Sequence, residues 1–168
     1  MDSRTKRNVI VASMILVVIV GALFFYNISS TKNFEFRSGG YFYKANIINK
    51  GSSKNYKWDI GISKNNSKKG VIEDESNIES LEKFRDTIEK ISGKKFEVFS
   101  MILYLLFILI IFAIVRKDSQ ILKVERSNKL FKLPITLLII FLICKISISF
   151  MELNNLYKNI NFYFGLIS

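Results

Sequence analysis

The sequence predicts an α-helical integral membrane protein with three transmembrane helices, plus a small extracytoplasmic α+β module. Three observations predict it. Near-unbroken apolar runs occupy residues 9–26, 98–115 and 133–150. Basic residues gather at the N-terminus and between the second and third runs. The polar stretch 27–97 combines strand-like alternation with one well-signed helix. At about 1.5 Å of rise per helical residue, each run is about as long as a bilayer core is thick. In hydrocarbon the backbone must satisfy its own hydrogen bonds, so each run is read as a helix.

Arg4, Lys6 and Arg7 precede the first run. A basic segment ahead of an apolar run also describes a signal peptide. This run is longer than a usual signal core, and no A-x-A-like cleavage site follows it. Residues 1–8 are therefore read as a cytoplasmic N-terminus and 9–26 as an uncleaved first span. Gly21 and Ala22 either allow a close helix contact or simply face lipid.

The linker 116–132 sets Arg116, Lys117, Lys123, Arg126, Lys129 and Lys132 against Asp118 and Glu125. Basic flanks stay in the cytoplasm. With the N-terminus and the linker inside, residues 27–97 and the tail 151–168 lie outside. The polar stretch has lysines of its own, but segments longer than about 60 residues translocate largely regardless of charge. Within the linker, Ile121, Leu122, Val124, Leu130 and Phe131 suit the inner membrane surface, with the lysines on anionic headgroups.

Phe34 and Phe36, then Tyr41 and Tyr43, then Tyr56, Trp58, Ile60 and Ile62 alternate. Ser38-Gly39-Gly40 and Lys50-Gly51-Ser52-Ser53 punctuate them, which predicts three short antiparallel strands. The lysines Lys64, Lys68 and Lys69 read as a solvated loop. Next, Ser76 and Glu79 have the spacing of a capping box. Ile78, Leu81, Phe84, Ile88 and Ile91 form one apolar helical face, and Gly93 is placed to stop that helix. A sheet this small leaves strand edges that either invite a partner strand or are simply short and guarded by lysines.

Pro134 opens the third span, where a missing N–H costs nothing. In the tail, Leu153, Leu156, Tyr157, Ile160, Tyr163, Phe164 and Ile167 recur at helical spacing. The tail either continues the third helix, lies in the outer interface, or packs on the module; spacing does not choose. Tyr56, Trp58, Tyr157 and Tyr163 are the candidate partner-facing aromatics.

Ionisable groups within apolar spans default to a functional hypothesis, and Lys145 is the clearest of them. With Ser149 and Glu152 it makes a candidate intramembrane contact. Phe150 is only about 8 Å further along the helix, so snorkelling to the outer headgroups accounts for the lysine most simply. A polar contact with a partner helix, or ion handling, are the alternatives. Cys144 reads as a small buried apolar group.

The net charge of +11 raises a nucleic-acid reading. Flanking of apolar spans explains it better, so no nucleic-acid partner is expected. The chain has no histidine and one cysteine, which removes the commonest general base and metal ligand together. Glu73, Asp74 and Glu75 precede a helix start and fit its dipole better than a Ca²⁺ loop. No catalytic, cofactor or metal residues are assigned. The expectation is a non-catalytic accessory, scaffolding or assembly subunit in a bacterial plasma membrane, with the bilayer and a membrane-protein partner or a second copy as its contacts. The alternatives are a self-protection or sensor protein binding a peptide or protein outside, and a small enzyme or ion-coupled carrier using Lys145 and Glu152.

Overall fold

Among the described residues, apolar runs and alternating segments give seven elements. The structure is a computed structural model that describes residues 2–29, 35–50, 53–116 and 129–167. Helix α1 spans Ser3–Ser29, and the strands are β1 Glu35–Ser38, β2 Tyr41–Lys50, β3 Ser53–Gly61 and β4 Ser67–Ile72. Helix α2 spans Ile78–Arg116 and α3 spans Lys129–Leu166. Phe34, Gly51, Ser52 and the linker residues 117–128, with Lys117, Asp118, Ile121, Leu122, Lys123, Val124, Glu125 and Arg126, lie outside the described residues. The chain forms two compact units, Met1–Phe25 with Glu97–Phe150, and Tyr26–Phe96 with Met151–Ser168.

In the first unit, α1 and the apolar parts of α2 and α3 present hydrocarbon outward. Val17, Val18, Leu133 and Phe141 are all more than half exposed. Inward positions are few, with Val98, Leu142 and Ser149 buried. A soluble surface does not carry apolar area on this scale. All three helices are long and apolar enough to cross a membrane.

The second unit is a four-stranded antiparallel meander in the order β1-β2-β3-β4. Ser38 pairs with Tyr41 across Gly39 and Gly40, whose φ angles are 60° and 98°. Two successive residues at positive φ make the tight turn that matches strand twist, and glycine adopts them without strain. Phe36, Tyr43, Ala45, Trp58 and Ile60 point from the sheet into one core. Leu81, Phe84, Ile88 and Ile91 of α2 meet them, as do Leu153, Ile160, Phe164 and Ile167 from the far end of the chain. The tail therefore both continues α3 and packs on the sheet.

Three details correct the expectations. The lysine-rich stretch read as a loop contains β4, which pairs with β3 through a register irregularity between Trp58 and Ile60. There Gly70 takes φ 72°, and its N–H donates to the Asp59 carboxylate at 2.8 Å. The capping box does not form. Asn77 precedes α2 instead, its carbonyl accepting from Leu81 N at 2.9 Å and its Oδ1 from Asp74 N at 3.0 Å. Glu79 pairs with Lys83 at 2.5 Å. Finally, Gly93 does not end the helix. Its neighbours keep the i→i−4 ladder, and α2 runs on to Arg116.

Candidate functional site

Residues four apart share a helix face, so Lys145 and Ser149 point the same way from α3. Both meet Glu97 of α2. Lys145 Nζ lies 3.8 Å from Glu97 Oε1, and the buried Ser149 hydroxyl donates to the same oxygen at 3.4 Å. Ser147, by contrast, donates back to the Ile143 carbonyl of its own helix at 2.9 Å. A lone charge is expensive in hydrocarbon, and an opposite charge with a hydroxyl beside it reduces that cost. The trio ties two helices together and has the polar character of a helix–helix contact.

Glu152 belongs to a different pair. Its carboxylate lies 2.6 Å from Lys94 Nζ, within the unit that holds the sheet. The three residues grouped from sequence are thus divided, two on Glu97 and one on Lys94. Sequence reasoning missed both partners. The available signal was an acid and a base near the start of the second apolar run, where each needs an opposite charge on a neighbouring helix.

The four candidate aromatics lie in the core or at its margin. Trp58 is 4% exposed, and its indole N–H donates to Glu73 Oε2 at 2.8 Å. Tyr157 stacks on Tyr41 with ring centroids 5.6 Å apart, and Lys95 Nζ sits 5.6 Å above it. Tyr163 has Phe162 edge-on at 5.6 Å and Lys83 at 5.9 Å from its ring. Tyr56 packs beside Trp58 at 6.5 Å. Nearby, the Tyr43 hydroxyl donates to Glu89 Oε1 at 2.6 Å, and burial followed by that bond pushes its pKa well above the ordinary phenol value.

The opposite sheet face is polar and open. Register sets Arg37 beside Phe42, Lys44 beside Asp59 and Asn46 beside Lys57. Glu35 bridges Arg37 and Lys44 at 3.3 and 3.5 Å. Arg37 also covers the Phe42 ring at 5.5 Å, and that ring lies where a side chain at Gly61 would collide with it. An aromatic ring and an arginine on an exposed sheet face are residue types that suit protein contact.

Two acids of the triplet, Glu73 and Asp74, have structural duties. Glu73 holds Trp58, while Asp74 accepts from Ser76 N, Ser76 Oγ and Asn77 N at 2.8, 2.6 and 3.0 Å. The Ser76 hydroxyl is the main reason the Asp74 carboxyl titrates below its ordinary value. Among the described residues, no group of three or more His, Cys, Asp or Glu is placed to hold a metal ion. Compared with known proteins, the chain matches no family model, no curated protein and no solved structure.

Proposed function

We propose that the chain is a non-catalytic subunit of a bacterial cell-envelope complex, inserted by three spans with its N-terminus in the cytoplasm and the sheet module outside. Its contacts run through the module and the third span. The observation that carries this is the continuity of α2 and α3. Each runs without a break from the apolar unit into the unit containing the sheet, and contributes apolar side chains to the sheet's core. Such a module is held at the bilayer by two helices of its own fold, and its polar sheet face is left for another protein. The basic N-terminus and the basic linker support the orientation.

A regulatory or self-protection role is the second reading, favoured by the same unbroken helices, since a ligand on the sheet would act on elements that enter the membrane. Purification from native membranes into nanodiscs separates the two. A subunit travels with a fixed stoichiometry of housekeeping partners in the absence of any added ligand. A regulator runs alone until its ligand is supplied. Recovery of a lone chain under all conditions overturns the subunit role.

A further inference from the structure

We propose that a cleft between α2 and α3 is a binding site for the phosphodiester of an anionic phospholipid headgroup. The cleft is lined by Lys90, Gly93 and Lys94 on one side, and Glu152, Asn155, Leu156 and Asn159 on the other. It is a shallow, open groove of ≈ 470 Å³ whose polar lining is largely exposed, which suits a headgroup that stays in contact with water. The lining repeats at three and four residues on each helix, over about one turn of α2 and about two turns of α3.

The chemistry follows from what is already engaged. Lys94 and Glu152 neutralise one another at 2.6 Å. Lys90, Asn155 and Asn159 have no side-chain partner among the described residues. One ammonium group and two amides therefore supply N–H donors to the cleft, with one net positive charge. A phosphodiester carries a single negative charge and acceptor oxygens to match. Leu156 offers an apolar patch for the glycerol portion, and nothing lies within 4 Å of where a Gly93 side chain would project.

Depth distinguishes a lipid from a soluble phosphate. Lys94 precedes the start of the second apolar run by four residues, about 6 Å of helix, and Glu152 follows the third run by two, about 3 Å. If those runs lie in the bilayer, the mouth of the cleft falls among the headgroups. The inference rests on that membrane placement, and a carbonate wash of the membranes tests the placement separately.

The experiment uses the full chain in a neutral detergent, with native mass spectrometry after addition of phosphatidylglycerol, phosphatidylcholine or inorganic phosphate. The expected result is retention of phosphatidylglycerol over phosphatidylcholine. Lys90→Gln weakens it about fivefold, the contribution of one basic residue to an anionic headgroup. Lys64→Gln, in the exposed β3–β4 turn, leaves it unchanged. Unaltered Trp58 fluorescence shows that each variant is folded. Equal retention by Lys90→Gln, or an equal loss in Lys64→Gln, overturns the site. Displacement of the lipid by millimolar inorganic phosphate, with the same dependence on Lys90, overturns its assignment to a lipid.

Discussion

Lys68, on the fourth strand, donates from Nζ to the main-chain carbonyl of Phe164 at 3.2 Å, across 96 residues of sequence. The same ammonium also reaches the Ile167 carbonyl and sits 5.1 Å over the Phe164 ring. The last carbonyls of a helix lack internal partners and carry partial negative charge, so a cation there stabilises the terminus. Lys68→Met should lower the stability of the sheet module by about 1 kcal/mol. Hydrogen exchange should quicken at the Ile167 amide, which donates to Tyr163 O at 3.3 Å. Unchanged exchange there would show that the cap contributes nothing.

Gly93 offers a test in which two readings differ in sign. In a continuous helix, with nothing within 4 Å of an added Cβ, Gly93→Ala should stabilise by about 0.5–1 kcal/mol. A glycine that terminated the helix would make the same change destabilising. Thermal unfolding followed by Trp58, the single tryptophan, reads the sign directly.

The core predicts a contrast between two isoleucines. Ile88 is fully buried between sheet and helices, whereas Ile47 is 51% exposed. Ile88→Ala should cost about 2–5 kcal/mol through lost transfer energy and the cavity left behind. Ile47→Ala should stay within about 0.5 kcal/mol. Denaturant midpoints at constant slope would check both.

Titration of Tyr43 gives an alkaline signature. Its folded pKa lies above the ordinary value of 10.0, so the folded state keeps the proton that the unfolded chain loses. The contribution is complete below pH 10 and declines as pH rises beyond it. Asp74 acts at the other end. Its folded pKa lies below 3.8, so its contribution is present above that value and is lost as pH falls through the folded value. Tyr43→Phe should flatten the alkaline limb of stability against pH, while Asp74→Asn should flatten the acid limb. Limbs identical to those of the native chain would contradict the assignments.

Lys145 and Glu97 should behave as a coupled pair. Lys145→Leu and Glu97→Gln, each alone, leave a charge beside a neutral group, and the double variant removes both charges. A double-mutant cycle in nanodiscs should give a coupling of about 1 kcal/mol. Strict additivity would mean that the pair is only a chance approach.

Much of this fold is legible from local pattern. The apolar runs mark helices because a backbone in an apolar medium must satisfy its own hydrogen bonds, and the Leu81, Phe84, Ile88 and Ile91 stripe marks the face that is buried. The Gly39-Gly40 turn is equally local. What escapes is tertiary. Lys68 looks solvated until the end of α3 is placed beside it. Gly93 carries a stop signal that the continuing α2 overrides. Of the candidate site, Lys145 and Ser149 were visible as polar groups in an apolar run. Their shared partner Glu97 was not, because its role exists only when two distant helices meet. From sequence Trp58 is a candidate partner-facing aromatic, and spacing does not reveal that its ring lies in the chain's own core.

The subunit role is tested most directly by photo-cross-linking in living cells from a light-activated residue at Asn46 or Lys57, on the open sheet face. Val17, on the exposed apolar surface of α1, serves as the control. A subunit should give one discrete adduct with the same protein from both sheet positions, in amount comparable to the chain itself, and none from Val17. No adduct from either sheet position, with the chain recovered as a clean monomer or homo-oligomer, would contradict it.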